Sequence, residues 1–356
     1  MKIEPKIFLP VEIVFHPNWW YKNYGITFGW DYFFNPDIRL MIEQKMSQIL
    51  YEKFGQYGYG QKNPVPEPII GPVHLAAGFL ISAIWGCDIK YYPDASPQVV
   101  CRKMTVEQLD SMPEPDPLMC KEFAALVKVI QELKQKFGYV KGDIGWHSLQ
   151  NLALDLVGEN LFIAYFDQPE MINRIYKKLN HSVLEIVNYI RRLTGTSSVS
   201  VNRSILNVDS AINLNSNCSI QMISNKQYEH FILPHEIELS KNLQPYGVHH
   251  CGNNMHTVAE GYSKIPDCCF FDIGWGSDIA YCRKLLPDAF FNIRLSPVKI
   301  KECTPQEVKG DIECFFKQVD SLNNVGLCCI NMDYGTSDEN IAAIFETVEK
   351  FKKIGF

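Results

Sequence analysis

From about residue 138 onward, short apolar or β-branched runs alternate with longer segments of helical periodicity. That alternation predicts βαβ units wound around a parallel sheet, an α/β fold of the (β/α)8 barrel type. Strands are expected near 198–206, 246–250, 268–273, 289–295 and 326–332, each followed by a helix, except that the segment after 206 reads as irregular and rich in Asn and Ser. Helix starts are marked by cap-and-N3 pairs: Asp167 with Glu170, Ser224 with Gln227, and Thr304 with Glu307. Pro169 and Pro305 sit where helix entry tolerates proline.

The first 110 residues read differently. Trp19-Trp20-Tyr21, Trp30, Tyr32-Phe33-Phe34 and Tyr57-Gly58-Tyr59-Gly60 concentrate aromatics among glycines. Such side chains usually bury, which makes this part a cap packed on the barrel mouth; a substrate-facing aromatic wall is the rival reading. Pro64-Val65-Pro66-Glu67-Pro68 is expected to be an extended connector, since each proline disfavours helix in the residue before it. Neither an internal repeat nor a low-complexity tract is present. One domain over residues 1–356, with 1–110 as an elaborated N-terminal cap, is the organisation expected.

Composition narrows the function. Of 356 residues, 46% are hydrophobic and 21% charged, as in a globular protein with a sizeable core. A net charge of -6 without a Lys/Arg cluster argues against nucleic acid, leaving small-molecule or protein partners. The 12 cysteines in so long a chain are expected to be reduced thiols of a cytoplasmic protein rather than covalent staples. Met1-Lys2-Ile3-Glu4-Pro5 lacks the apolar run of a signal peptide, and no segment is apolar enough to span a membrane.

The densest chemistry is His249-His250-Cys251, followed by Gly252-Asn253-Asn254. In a strand His249 and Cys251 share a face while His250 points away, so an imidazole and a thiolate face one spot. These are ligands that zinc prefers, and a third from a distant segment leaves the open position of a catalytic site. The last strand offers Cys328, Cys329 and Asp333; alternation puts Cys329, which has the sulfur, on one face with Asp333, which lies nearer the strand end, Cys329 being four residues deeper, roughly 13 Å at strand rise. A barrel also places functional residues just past its strand ends. Other candidates there are His147 with Trp146, Asn215 to Cys218, Asp272 with Gly274-Trp275-Gly276, Arg294, and Asn331 to Tyr334.

Taken together, these residues resemble the uroporphyrinogen decarboxylase superfamily from about residue 140 to the C-terminus. The matching pieces are Phe231-Ile232-Leu233-Pro234, His249 to Asn253 as H-x-C-G-N, Asp272-Ile273-Gly274 before Asp278, Arg294-Leu295-Ser296-Pro297, Thr304-Pro305-Gln306-Glu307-Val308 and Asp338-Glu339-Asn340-Ile341. The resemblance implies a TIM barrel with its site at the C-terminal mouth. One branch decarboxylates uroporphyrinogen without metal; the other comprises corrinoid-dependent methyltransferases, in which H-x-C and a later Cys bind zinc.

A polycarboxylate substrate needs bidentate arginines. Phe15-His16-Pro17-Asn18-Trp19-Trp20 has none, and Arg39 is the only arginine before Arg102, which weakens the decarboxylase reading. The closing segment has Asp333-Tyr334-Gly335 in place of the methyltransferases' Gly-Cys pair, so the third ligand does not carry over. The expectation is a zinc methyltransferase working with a corrinoid (cobalamin) protein and a small thiol or methyl ether. His249 and Cys251 are its ligands with Cys329 or Asp333, and His147, Asp272 and Tyr334 its substrate contacts. Uroporphyrinogen decarboxylation is the first alternative and a noncatalytic ligand-binding barrel the second.

Overall fold

The computed structural model describes residues 3–70, 79–142, 144–195, 203, 205 and 207–354. Its strands are β1 (Val11–Phe15), β2 (Asp88–Lys90), β3 (Gln98–Val100), β4 (Asn213–Asn217), β5 (Tyr246–His250), β6 (Cys268–Ile273), β7 (Phe290–Leu295) and β8 (Val325–Met332). Six of them form one curled sheet in the order β1-β8-β7-β6-β5-β4, parallel throughout; β2 and β3 make a separate antiparallel pair. Among the described residues this is a half-barrel rather than the closed eight-stranded barrel expected. Isolated parallel bridges join Ile69 to Lys141, Lys141 to Gly195 and His147 to Ser216. The strand expected near 198–206 falls largely outside the described residues.

The four later strands form where the apolar runs predict them, because their outer faces pack under helices. Val248, Phe271, Ile273, Phe291, Ile293 and Leu327 all belong to the main buried core. Burial on both faces is the normal condition of a parallel sheet. Helices follow these strands in turn at Ala259–Tyr262, Ile279–Leu285, Pro305–Phe316 and Asp338–Ile354.

β4 and β1 depart from the expectations. Asn-Leu-Asn-Ser-Asn in β4 carries no hydrophobic pattern, yet every residue of it is buried. Asn215 and Asn217 both donate to Glu236 Oε1, at 2.8 and 2.7 Å, so a buried carboxylate satisfies what an apolar partner would not. β1, within the presumed cap, pairs in parallel with β8 and is therefore part of the sheet. Most of the N-terminal aromatics bury as packing: Trp19, Trp20, Phe28, Tyr32 and Phe33 are all core residues.

Two of the expected helix caps form complete capping boxes, Ser224 with Gln227 and Thr304 with Glu307. The third does not. Asp167 ends the preceding helix, and Gln168 precedes Pro169 without a side-chain cap.

Register stacks the sheet's inner face in layers. Residues paired across parallel strands share a face. Leu214, Gly247, Phe270 and Phe290 lie side by side, and Leu214, Phe270 and Phe290 belong to a small apolar cluster of their own. One layer toward the C-terminal ends come Ser216, His249, Asp272 and Asn292. Beyond these Arg294, Cys328 and Glu12 are aligned. An apolar floor thus carries a polar layer, and the polar layer supports the strand ends.

Candidate metal centre

β4 and β5 run in parallel with Asn217 opposite His250, and each continues directly into a cysteine. Cys218 and Cys251 therefore emerge beside one another, with His249 one layer below on the same face. One ligand atom from each of Cys218, His249 and Cys251 lies within 4.8 Å of the others. His249 is buried and the two cysteines are half-buried.

The imidazole is held from behind. His249 Nδ1 lies 2.6 Å from Asp272 Oδ2, so Nδ1 carries the proton in the tautomer this pairing favours and Nε2 keeps its lone pair for a ligand. A carboxylate behind a histidine in this way orients the ring and raises its basicity toward a metal. Burial alone would raise the Asp272 carboxyl, but Arg203 and His249 outweigh it and hold the group well below the usual carboxylate range.

The two sulfurs differ. The hydrogen bond with Cys218 pulls Cys251 well below the ordinary thiol range against the opposing effect of burial, with His249 and Arg294 adding to it. Cys218 is held correspondingly high, first by that same hydrogen bond and then by burial. Cys251 is the sulfur that ionises first. Arg294 fixes the ligand loop rather than pairing with a carboxylate: its Nη1 donates to the carbonyls of His250 at 3.0 Å and Cys251 at 2.5 Å, and its guanidinium lies over Trp275 at 5.2 Å. The loops after β5 and β6 are locked together, since Gly276 N–H donates to the Asn253 carbonyl at 2.7 Å.

The sequence-derived candidates divide accordingly. His249 and Cys251 come together as expected, and their third neighbour is Cys218. Neither Cys329 nor Asp333 belongs to the cluster. Register explains why: Cys329 pairs with Leu295 and Ile13, which puts it on the outer face within the apolar core, where burial pushes its thiol up to about 12. Cys328 is the one that faces inward. Asp333 lies on the loop after β8, 3.4 Å from the Lys301 ammonium and accepting from the Tyr334 N–H at 2.8 Å.

Of the expected substrate contacts, Asp272 is fully buried behind His249 and hydrogen-bonded to it, out of reach of a substrate. Tyr334 is exposed on the loop after β8. His147 bridges to Ser216 on β4, and its Nδ1 is 3.7 Å from Asp155. Cys218 was within reach of sequence reading, as the end of the Asn215 to Cys218 run. What hid it was the polar character of the strand that delivers it. Arg203 and Glu236 had no such signal.

No family model matches this chain, and no curated protein does. Solved structures similar in fold include the following two. A "methyltransferase from Methanosarcina mazei" is 13% identical with a TM-score of 0.67, covering 97% of this chain and 94% of that one. A B12-independent methionine synthase from Shewanella sp. W3-18-1, in complex with selenomethionine, is 10% identical with a TM-score of 0.51, covering 98% of this chain and 100% of that one. At such identities the likeness establishes the α/β fold these chains share.

Proposed function

We propose that this chain is a zinc-dependent methyltransferase that moves a methyl group between a small substrate, a thiol or a methyl ether, and a corrinoid carried by a partner protein. The observation that carries the reading is the convergence of Cys218, His249 and Cys251, with His249 Nδ1 occupied by Asp272. Two sulfurs and one imidazole form a donor set of the kind zinc favours, and three protein ligands leave one position for substrate. Zinc bound there would supply Lewis acidity, lowering the pKa of a substrate thiol or withdrawing charge from an ether oxygen. The chain's own residues do the rest: Asp272 sets the imidazole tautomer, Arg294 fixes the carbonyls flanking Cys251, and the locked loops hold the rim rigid.

The fold likeness to a methyltransferase supports methyl transfer, and the corrinoid partner rests on the superfamily resemblance. The likeness to a B12-independent methionine synthase favours one competing version, in which the methyl donor is not a corrinoid. Uroporphyrinogen decarboxylation is disfavoured because the arginines that could clamp carboxylates are engaged elsewhere. Arg39 donates to Glu43 at 2.9 Å, Arg203 to Asp272 and Glu12, and Arg294 to backbone carbonyls.

Metal analysis of the purified protein tests the reading. About one zinc per chain is expected, lost in C218S, H249A and C251S and retained in C329S and D333N. Mixing the zinc-loaded protein with methylcobalamin and a small thiol should then convert the corrinoid spectrum to the demethylated form. Absence of zinc from the wild type, or its loss in C329S and not in C218S, would sink the proposal.

A further inference from the structure

The polar layer behind His249 continues past the aspartate. Arg203 donates from Nη2 to Asp272 Oδ1 at 2.7 Å, from Nη1 to Asp272 Oδ2 at 3.0 Å, and from Nε to Glu12 Oε2 at 2.9 Å. Asn292 spans the same two carboxylates, donating from Nδ2 to Asp272 Oδ1 at 3.0 Å and to Glu12 Oε2 at 3.2 Å. The side chains of Arg203 and Asp272 are 3% and 0% exposed, and that of Glu12 is 11% exposed.

Stability alone does not account for this arrangement. Charges taken out of water lose much of what their mutual attraction returns, and a well-packed apolar set often does as well. What the geometry does accomplish is orientation. Asp272 Oδ2 takes His249 and Arg203, and Oδ1 takes Arg203 and Asn292, so the carboxylate plane is fixed by donors on both oxygens. A planar fork of N–H groups can do this where a single ammonium cannot.

We infer that Arg203 and Glu12 are positioning residues of the metal centre: Glu12 anchors Arg203, Arg203 locks the Asp272 carboxylate, and the locked carboxylate aims His249 Nε2 at the position shared with Cys218 and Cys251. The inference rests on the metal-site reading above. It makes β1, in the part of the chain that sequence assigns to a cap, a support of the chemistry on β5.

The test uses the full chain loaded with Zn²⁺ or Co²⁺ alone. Affinity is read by competition with a chelating dye, and ligand geometry by the visible absorption of the Co²⁺ form. R203M should lose about tenfold or more in affinity and shift the Co²⁺ bands, while its far-UV circular dichroism stays that of the wild type. R203K keeps the charge without the fork and should fall between. E12Q leaves an acceptor oxygen for Nε and should lose less than R203M. A folded R203M with wild-type affinity and bands overturns the inference; if R203M does not fold, R203K with wild-type affinity and bands overturns it equally. A wild type that takes up neither metal fails the metal-site reading itself and this inference with it, whereas metal uptake unaffected by Arg203 substitution fails the inference alone.

Discussion

A histidine that binds a metal through one nitrogen is commonly held by a hydrogen bond at the other, and Asp272 takes that place on His249 at 2.6 Å. The rim above depends on an equally local condition. The loops after β5 and β6 touch backbone to backbone, and a Cβ built on Gly274 would lie 1.9 Å from the Gly252 carbonyl oxygen and 2.6 Å from Asn253 Cα. Neither neighbour is a flexible side-chain end, so relief requires moving the chain beside Cys251. Gly274→Ala is therefore expected to destabilise the fold by about 3 kcal/mol, the upper part of the range for overpacking. Urea denaturation midpoints measure this, and a wild-type midpoint would show that the loops are not held as tightly as described.

At the scale of elements, β4 is a polar strand stabilised by a second polar cluster on its outer face. Glu236 accepts from Asn215, Asn217 and, at 2.6 Å, the Tyr228 hydroxyl. Burial raises its carboxyl from 4.5 to about 7, against the lowering effect of those hydrogen bonds. Because the folded state keeps this proton after the unfolded chain has released it, stability falls as pH rises from about 4.5 to about 7. Glu236→Gln removes that dependence. Relative to wild type, the variant should gain stability between pH 5 and pH 8, by about 2 kcal/mol from the linkage. Urea midpoints at the two pH values give the difference; equal offsets at both would mean that Glu236 is not held protonated.

For the whole molecule, the proposed ligands come from the ends of two adjacent strands, β4 and β5, and their supports from β1, β6 and β7, so a metal bound there would couple to folding across the sheet. Zinc at a hundredfold excess over its Kd would add about 2.7 kcal/mol of stability by mass action. Chelation should lower the melting temperature of the wild type and leave C218S unmoved; an unchanged wild-type melt would count against a metal held by the folded state. Much of this architecture could be read from the chain. β5 to β8 are visible because their outward side chains must be apolar to pack under helices, and His249 with Cys251 because strand alternation puts them on one face. β4 could not be read that way, since Asn215 and Asn217 are buried by a hydrogen-bonding partner distant in sequence rather than by hydrophobicity. Nor could the orientation of the two adjacent cysteines on β8. Alternation relates Cys328 to Cys329 as opposites, but only pairing with β7 and β1 decides which of them faces inward. Local periodicity in the chain was enough for the alternating elements of β5 to β8, two of the three expected caps and the pairing of His249 with Cys251 on one face. Tertiary structure alone brought Cys218 beside that pair and set Arg203 and Glu12 behind it, because register between strands is a property of the assembled sheet.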